Sequence, residues 1–465
     1  MFDLSKFSDN LVCILPDGRS HTYSDLQSVA ERLSVNIDAH TLVFCMCENN
    51  FETLAGYVSF TNNGNVVLML DAHIEASAFQ TLFSIYQPSY VWTRKDTPCQ
   101  EKFKKNACFG AYVLYDTGIK PAVFFSEQLS VLLTTSGSTG SPKLVRLSKK
   151  NILGNARSIV QYLHITQEER PITSLPMYYS YGLSIVNSHL LVGATLLLTG
   201  YSYIQKEFWD FARRYEATSF SGIPYTYEIL KKLKFWTIDL PSLRTLTQAG
   251  GKLSNELLQF FIENARQRNV EFFLMYGQTE ATARMSYLPP EYGLRKLGSI
   301  GYGIPGGTFS LVDEDGSLIK DSNVVGELVY QGENVSLGYA ESFADLYKGD
   351  ENQGTLHTGD FAYRDDDGFY FITGRKKRFL KLFGNRISLE YVETLLAPYL
   401  KDCVCVGNDT HLIVYTTDRH YDETVIINVL VNRTKILRKA FIVRQVDAIP
   451  RSNTGKILYK KLSIE

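Results

Sequence analysis

Short apolar runs alternate with helical patterns along the first two thirds of the chain, and this alternation limits the possible folds more than any other feature. Helical spacing of apolar residues is present in the segments 21–33, 151–163 and 205–216. Runs that predict short buried strands occur at 42–47, 66–70, 130–137, 194–199 and 217–224. Strands that alternate with helices in this way are typical of α/β folds.

The pattern changes after about Gly298. Strand-like segments at 308–319 and 361–374 contain Asp-Gly turns, which favour β-hairpins, and a further strand-like segment lies at 326–332. A basic stretch at 374–381 then precedes a helical pattern at 387–400, two apolar strands and a second helical pattern at 422–437. We therefore expect a domain boundary in this stretch. The N-terminal domain would cover 1–377, and a small α+β C-terminal domain would cover 378–465.

Composition excludes several classes of protein. The chain has 465 residues, of which 45% are hydrophobic and 21% charged, so it is able to bury a large core and is not disordered over most of its length. Its 48 basic and 49 acidic residues argue against a nucleic-acid-binding protein with a basic face. The most apolar stretch, 183–199, contains Asn187 and His189 and is too polar for a membrane span.

The N-terminal residues contain acids and no long apolar run, so they do not predict a secretory signal. The seven cysteines are scattered and lack the spacing of a zinc site. Free thiols in a reducing compartment are the better interpretation, and we expect a cytoplasmic protein.

The segment from Thr134 to Lys143 combines hydroxyl side chains, two glycines and a lysine directly after an apolar strand. Glycines let backbone N–H groups approach phosphate oxygens, hydroxyl groups add hydrogen bonds, and the lysine adds positive charge. The spacing is not that of a Walker A motif, because only two residues separate Gly137 from Gly140. A flexible linker is the alternative, but the position between a strand and a helix favours a phosphate-binding loop.

Three further segments contain residues that suit a nucleotide site, although each has a structural alternative. In the segment 276–280, Thr279 is equally suited to cap a helix. Asp360 follows a glycine, where it suits either ribose hydroxyl groups or a solvated turn. Lys456, in the segment 450–456, is by itself more typical of a surface lysine than of a catalytic one.

Taken together and in this order, the four segments resemble those of the adenylate-forming superfamily. This superfamily comprises acyl-CoA synthetases, luciferase-like ligases and peptide synthetase adenylation domains. The resemblance runs from about Thr22 to Leu462, and the segments 326–339 and 381–393 also match it. It implies a large N-terminal domain of layered α/β sandwiches plus a distorted β-barrel, with a small mobile α+β C-terminal domain.

The resemblance also implies an AMP-forming acid–thiol ligase. Such an enzyme uses ATP and Mg²⁺ to convert a carboxylic acid into an acyl-adenylate, releases pyrophosphate, and transfers the acyl group to a thiol. The acceptor would be CoA or the phosphopantetheine of an acyl carrier protein. The enzyme must hold two anions together and neutralise them while the adenylate forms.

The resemblance assigns phosphate and metal contacts to named residues. Thr279 would bond the α-phosphate, and Glu280 would be the Mg²⁺ ligand, although an acid at a helix start is also stabilised by the helix dipole. The β- and γ-phosphates would be held by the loop residues Thr135, Ser136, Gly137, Ser138, Thr139, Gly140 and Lys143.

The nucleoside contacts follow in the same way. Tyr276, followed by Gly277, would pack on adenine, and Gly250 and Gly251 would allow its close approach. Asp360 would bind the ribose hydroxyl groups, with Arg375 nearby.

The C-terminal part would supply a mobile catalytic group. Lys456 would reach the carboxylate and the α-phosphate during adenylate formation, because its charge is needed only in that half-reaction. Lys377 occupies the hinge position of the superfamily. Lys381 and Gly384 match the segment that faces the active site after the C-terminal domain rotates.

Two departures from the superfamily pattern affect the expected site. Leu144 stands where a glycine usually follows the loop lysine. Tyr179 replaces a common histidine near the substrate carboxylate, in the segment that ends at Gly182, so the pocket is altered although tyrosine still offers a hydrogen bond. The segment 175–182 also lacks the Asp that usually pairs with an amino group, which argues against an α-amino acid substrate.

Two alternatives to a CoA synthetase remain at this stage. One is a stand-alone amino-acid adenylating enzyme that loads a carrier protein. The other is a non-catalytic nucleotide-binding relative, which the intact Glu280, Asp360 and Lys456 disfavour. The G-x-G-x-x-G at 301–306 does not predict a dinucleotide site, because a strand at 308–312 follows it instead of a helix. The sequence leaves the identity of the carboxylic acid open.

Overall fold

The computed structural model describes residues 1–97, 103–120, 125–126, 128–134, 143–382, 385–408, 410–434, 436–451 and 457–462. Two compact units are present. The first comprises Met1–Thr308 and Gln331–Leu356, and the second comprises Phe309–Tyr330 and His357–Glu465. The boundary expected after Lys377 falls inside the second unit, within a short 3₁₀ helix at Lys376–Arg378, and stays a prediction.

Helices and strands alternate through the first unit as the sequence predicts. The helices of this unit are α1 (Tyr23–Ser34), α2 (Phe51–Asn62), α3 (Ala76–Tyr86), α4 (Lys149–Tyr162), α5 (Ser180–Leu191), α6 (Lys206–Arg214), α7 (Pro224–Lys232) and α8 (Asn255–Gln267), and the second unit contains α9 (Leu389–Leu396) and α10 (Glu423–Thr434). The strands before Leu311 are β1 (Leu11–Ile14), β2 (Ser20–Thr22), β3 (Leu42–Cys47), β4 (Val66–Asp71), β5 (Tyr90–Arg94), β6 (Lys104–Phe109), β7 (Tyr112–Asp116), β8 (Leu129–Thr134), β9 (Leu144–Ser148), β10 (Leu196–Leu197), β11 (Ser219–Gly222), β12 (Thr245–Gln248), β13 (Glu271–Tyr276), β14 (Ser286–Leu288), β15 (Tyr302–Gly303) and β16 (Gly307–Val312). The later strands are β17 (Gly326–Gly332), β18 (Gly338–Ala340), β19 (Thr355–Arg364), β20 (Tyr370–Arg375), β21 (Phe379–Leu382), β22 (Asn385–Ser388), β23 (Cys403–Gly407), β24 (Leu412–Thr416) and β25 (Phe441–Gln445).

The largest sheet of the first unit has the order β18-β9-β8-β4-β3-β5-β7-β6. Every residue of β3 is buried because both faces of this sheet are covered. Alternate residues of the strand enter two different cores, Val43 and Cys45 on one face and Leu42 and Phe44 on the other. Burial on both faces of the sheet is the physical reason why residues 42–47 form a continuous apolar run.

A second sheet of the first unit, ordered β11-β12-β13-β14-β15, positions the candidate site. Its strands β11, β12 and β13 run parallel, so their carboxyl ends lie at one edge. The loops that leave this edge begin at Ile223, Ala249 and Gly277. In open α/β sheets this edge is where ligands bind.

The local signals of the sequence are largely confirmed. In α1, Leu26 and Leu33 are buried as their spacing predicts, and Thr22 and Asp25 form a capping box at the start of the helix. The strand expected after the G-x-G-x-x-G segment is also present as β16.

The helix predicted at 387–400 is shorter than expected at both ends. Residues up to Ser388 belong to β22, and Ser388 then caps α9 by accepting a hydrogen bond from Tyr391 N. At the other end α9 stops at Leu396, two residues before Pro398, which has no N–H to continue the helical hydrogen-bond ladder.

The second unit contains the predicted hairpins and the α+β segment. The sheet β16-β17-β19-β20 includes the β19–β20 hairpin, and the sheet β23-β24-β25 packs with α9 and α10 around one apolar core. Within the described ranges, no helix has both the length and the apolar character needed to cross a bilayer.

Candidate active site

The loop after β13 folds back tightly on itself. A Cβ atom on Gly277 would lie only 1.7 Å from the carbonyl oxygen of Ala283, so no other residue fits there without moving the loop. Met285 N then bonds Tyr276 O at 2.9 Å, which closes the loop. Thr282 and Ala283 have φ values of 56° and 95°, in the left-handed region that non-glycine residues rarely adopt. Such strain is common at functional sites.

Asn334 fixes this loop from a distant part of the sequence. Its side-chain amide donates to the carbonyl oxygens of Ala281 at 2.7 Å and Arg284 at 3.0 Å. The backbone carbonyl oxygen of Asn334 accepts a hydrogen bond from the Thr282 hydroxyl at 2.6 Å. Because Asn334 is 4% exposed, these bonds form away from water and hold Thr279 and Glu280 in a defined loop.

Thr279 lies at the amino end of α5. Its hydroxyl is 3.1 Å from the hydroxyl of Ser180, the first residue of that helix, and both side chains are largely buried. The start of a helix carries partial positive charge and favours an anion. The two hydroxyl groups therefore stand where a phosphate oxygen would be stabilised.

Glu280 is held by the phenol of Tyr339, which donates a hydrogen bond to Oε1 at 2.8 Å. Burial, followed by the negative charge of Glu280, raises the pKa of Tyr339 and keeps its hydroxyl a donor at neutral pH. Lys143 Nζ lies 3.5 Å from the centre of the same ring and 3.5 Å from Glu341 Oε1. A carboxylate and an ammonium group thus flank one aromatic ring.

The carboxyl ends of β11 and β12 contact the residue that replaces the usual histidine. Gly250 has φ of +85°, and a Cβ atom there would lie 2.8 Å from the Tyr179 hydroxyl oxygen. A Cβ atom on Gly251 would lie 3.1 Å from Pro224 Cγ. Burial raises the pKa of Tyr179, which is 8% exposed, so it remains a neutral phenol.

The other residues of this region are defined by close packing. A Cβ atom on Gly182 would lie 2.2 Å from the Pro176 carbonyl oxygen, so the first turn of α5 can approach Pro176 this closely only with glycine. Leu144, the other departure from the superfamily pattern, is fully buried in the core beside Leu132 and Ala340. Its side chain therefore contributes to core packing.

Asp360 lies in the second unit. It is 2% exposed, pairs with Arg375 across β19 and β20, and its Oδ1 is 3.0 Å from Arg375 Nε. Thr358 Oγ1 accepts from Asp360 N at 3.1 Å and itself donates to the carbonyl oxygen of Leu328 at 2.7 Å. The carboxylate is therefore buried and held in place by Arg375 and by this turn.

Several predicted site residues lie outside the described residues: Thr135, Ser136, Gly137, Ser138, Thr139, Gly140, Gly384 and Lys456. For Lys377 and Lys381 the structure describes the backbone, in the 3₁₀ helix Lys376–Arg378 and in β21. The roles of all these residues stay predictions.

The sequence analysis missed three residues that shape the site. All three stand inside segments that match the superfamily, but none has a pattern that assigns it a role. Each acts through a partner at least 50 positions away in the chain, and the shortest separation is that between Asn334 and Arg284.

Known proteins share both sequence and fold with this chain. The sequence profile described as "AMP-binding enzyme" matches residues 4–340. The 2-succinylbenzoate–CoA ligase of Staphylococcus epidermidis is 29% identical over 358 residues, which cover 74% of this chain and 71% of that enzyme.

Solved structures extend the likeness to nearly the whole chain. The O-succinylbenzoate coenzyme A synthetase of Bacillus subtilis in complex with AMP superimposes with a TM-score of 0.80 at 20% identity, over 99% of this chain and 97% of that one. The same enzyme in complex with ATP and magnesium ion gives a TM-score of 0.77 at 20% identity, over 97% and 96%. This likeness confirms the predicted fold class, a large N-terminal α/β domain followed by a smaller C-terminal domain.

The profile match covers well over half of the chain, and it includes the loop that carries Thr279, the Tyr339 that bonds Glu280, and the glycines that the fold requires at 182 and 277. The chain belongs to the AMP-binding enzyme family.

Proposed function

We propose that the chain is an AMP-forming acid–CoA ligase. The observation that carries this proposal is that Tyr339 contacts both Glu280, through its hydroxyl, and Lys143, through its ring, while the hydroxyl groups of Thr279 and Ser180 are paired. These groups offer one carboxylate for a metal ion, one cation for terminal phosphates and two hydroxyl groups for the reacting phosphate. A polyphosphate needs all three.

The first half-reaction forms the acyl-adenylate. An oxygen of the substrate carboxylate attacks the α-phosphorus of ATP, and the bond to the β-phosphate oxygen breaks, so pyrophosphate leaves with the electron pair. Thr279 donates a hydrogen bond to an α-phosphate oxygen and stabilises the charge that develops there. Lys143, with the loop residues 135–142, holds the departing pyrophosphate.

Glu280 suits Mg²⁺. This ion prefers oxygen ligands and is commonly held by one or two carboxylates together with phosphate oxygens and water. The hydrogen bond from Tyr339 engages only Oε1 and fixes the carboxylate, so Oε2 would be the metal ligand. The ion would neutralise charge on the phosphate oxygens.

Asp360 and Lys456 complete the proposed assignment. The buried Asp360 carboxylate accepts hydrogen bonds from the ribose hydroxyl groups, and Arg375 holds it in position. Lys456 brings its charge to the substrate carboxylate and the α-phosphate in this half-reaction only. Rotation about Lys377 then exchanges Lys456 for the segment that contains Lys381 and Gly384.

In the second half-reaction the sulfur of a thiol attacks the acyl carbon, and AMP leaves with the electrons of the acyl–oxygen bond. We propose CoA as the acceptor, because the enzymes to which this sequence is similar include CoA ligases. A carrier-protein phosphopantetheine is the competing acceptor. An α-amino acid substrate is disfavoured, because the 175–182 segment offers no carboxylate to an amino group.

We also propose a cytoplasmic location. The described cysteines are free thiols, and most of them are buried. Free thiols are the usual state in the reducing cytosol.

The test measures both half-reactions on the same purified protein. We expect ATP–pyrophosphate exchange that depends on an added carboxylic acid, followed by thioester formation when CoA is supplied. Lys456→Ala should lose exchange yet still form thioester from supplied acyl-adenylate, whereas Lys461→Ala, in the same terminal segment, should behave as wild type. Absence of acid-dependent exchange across mono- and dicarboxylic acids and amino acids would overturn the proposal and favour a non-catalytic nucleotide-binding protein. Exchange followed by acylation of a carrier protein, but not of CoA, would replace the acceptor.

A further inference from the structure

Arg284 is a buried cation whose protein partners are neutral. It is 2% exposed, its Nε donates to Ser184 Oγ at 3.1 Å, and its Nη1 donates to Tyr162 Oη at 3.3 Å. Its guanidinium carbon lies 5.1 Å from the centre of the Tyr181 ring. Within the described part of the chain, no carboxylate lies within ion-pair distance of it. A buried charge without a counter-ion is costly, and it invites an anion.

A small cavity lies beside this guanidinium. Its volume is about 20 Å³, and its polar lining includes Arg284, His189, Ser221 and Thr247. That space suits one water-sized group, such as a carboxylate oxygen. The hydroxyl groups of Ser221 and Thr247 lie 2.7 Å apart and offer further hydrogen bonds.

The other ionisable groups of the cavity do not neutralise Arg284. Glu169 also lines the cavity, but its Oε1 is 2.9 Å from Arg244 Nη2, and its other oxygen accepts from Thr218, so its charge is already compensated. Burial, with the charge of Arg284 adding to it, lowers the pKa of His189 to about 4, so this histidine is neutral at pH 7. One positive charge therefore remains unbalanced.

The position of Arg284 is fixed relative to the proposed reaction centre. Thr279 contacts Ser180, and Arg284 contacts Ser184, which follows Ser180 by one turn on the same face of α5. One turn advances a helix by about 5.4 Å. A substrate whose reacting carboxylate lies beside Thr279 would thus place a second group, a short chain away, beside Arg284.

The backbone of Arg284 is also held in place. Its carbonyl oxygen accepts from Asn155 at 2.8 Å and from Asn334 at 3.0 Å, and it directly follows the strained Thr282 and Ala283. The same loop that presents Thr279 and Glu280 therefore fixes the backbone of Arg284, while Ser184 and Tyr162 hold its guanidinium.

We propose that Arg284 binds a second carboxylate of the substrate, so that the acid activated by this chain is a short dicarboxylic acid of about four to six carbon atoms. This inference rests on the proposed ligase function and specifies its substrate class. The guanidinium would donate charge-assisted hydrogen bonds to the carboxylate oxygen that occupies this cavity. Neutralisation of the buried cation would favour diacids over acids of the same length that have an uncharged end.

The test compares acids of matched length in ATP–pyrophosphate exchange by the wild-type protein. The probes are succinate, glutarate and adipate, each against its monomethyl ester and against butyrate, valerate or hexanoate. We expect kcat/KM to be at least tenfold higher for one diacid than for its ester, because only the diacid forms charged hydrogen bonds with Arg284. Equal values for the diacids and their esters would overturn the inference and leave the ligase function intact. Exchange with other monocarboxylic acids, but with none of these acids, would also overturn the inference and leave the ligase function intact. Exchange with no acid at all would overturn the ligase function itself.

Variants make the assignment specific. Arg284→Gln should abolish the preference for the diacid over its ester, mainly through KM, and should retain exchange with the ester. Arg284→Lys should keep part of the preference, since the charge remains but the planar arrangement of donors is lost. Arg268→Gln, which alters an exposed arginine stacked on Trp236, is the matched control and should leave the preference unchanged. A preference that survives in Arg284→Gln would contradict the inference, and the wild-type comparison decides the question if that variant does not fold.

Discussion

The Tyr339 hydroxyl donates a hydrogen bond of 2.8 Å to Glu280 Oε1, although 59 positions separate the two residues in the chain. The contact joins β18, at the edge of the largest sheet, to the strained loop after β13. The same tyrosine ring lies under Lys143 Nζ. One side chain thus sets both the carboxylate proposed to bind Mg²⁺ and the lysine proposed to hold the phosphates.

Tyr339→Phe should reduce kcat/KM for ATP in pyrophosphate exchange by about tenfold, because it removes a hydrogen bond to a charged group and leaves the ring in place. The Mg²⁺ concentration for half-maximal activity should rise as well, since Glu280 would no longer be fixed. Tyr23→Phe removes a buried hydrogen bond to the Ala194 carbonyl and is the matched control. An unchanged Mg²⁺ dependence would argue against the positioning role of Tyr339.

Gly277→Ala should inactivate the protein, because the added methyl group would lie 1.7 Å from the Ala283 carbonyl oxygen and displace the loop that carries Thr279 and Glu280. We expect a loss of about 1–3 kcal/mol in the free energy of unfolding, as for other overpacked sites. Chemical denaturation and pyrophosphate exchange measure the two effects. Gly349→Ala has no atom within 4 Å of the new methyl group and should change neither. Normal activity of Gly277→Ala would show that the loop tolerates displacement.

Asp360→Asn should weaken ATP binding at least tenfold, since an amide oxygen is a poorer acceptor than a carboxylate for ribose hydroxyl groups. The fold should persist, because the new side chain has the same shape and Arg375 is exposed to solvent. Calorimetric titration with ATP, alongside thermal unfolding, separates binding from stability. Asp366→Asn, in the exposed turn of the same hairpin, serves as control. If affinity for ATP is unchanged in Asp360→Asn, this residue does not contact the nucleotide.

Lys377→Pro should spare adenylate formation and slow thioester formation at least tenfold. Proline fixes φ near −65° and removes a backbone donor, so it opposes the dihedral change that a hinge must absorb. Lys377→Ala keeps the backbone free and should be nearly normal in both half-reactions. Parallel loss of both rates in Lys377→Pro, or loss of neither, would contradict the hinge assignment.

Acid should destabilise the protein through His189. Its pKa is about 4 in the folded protein, against 6.5 for the unperturbed group, because burial disfavours the charged form. Between these values the unfolded state binds more protons than the folded state, so stability falls as pH decreases from 6.5 to 4. The difference amounts to about 3 kcal/mol.

Denaturation of His189→Asn across this pH range measures the effect. The variant should lose less stability than wild type as pH falls, whatever its stability at pH 7. His73→Asn, at an exposed site, should follow the wild-type curve. Identical pH dependence in His189→Asn and wild type would show that His189 is not the titrating group.

The amino-acid sequence by itself predicted the fold class and part of the elements. Apolar runs and helical patterns act over neighbouring residues, so segments such as 42–47 and the buried face of α1 were predicted from their own residues. The hairpin turns and the four motifs are likewise local. The order of those motifs along the chain carried the family assignment, and with it the candidate residues Thr279, Glu280 and Asp360.

Only the tertiary structure determined which side chains meet. Sequence patterns gave no sign that Ser180 would lie beside Thr279, that Asn334 would fix the strained loop, or that Tyr339 would hold Glu280. Nor did they indicate that Arg284 would be buried among neutral partners beside a small cavity. The physical reason is that these relations depend on how separate strands and helices pack, and packing joins residues whose distance along the chain carries no pattern.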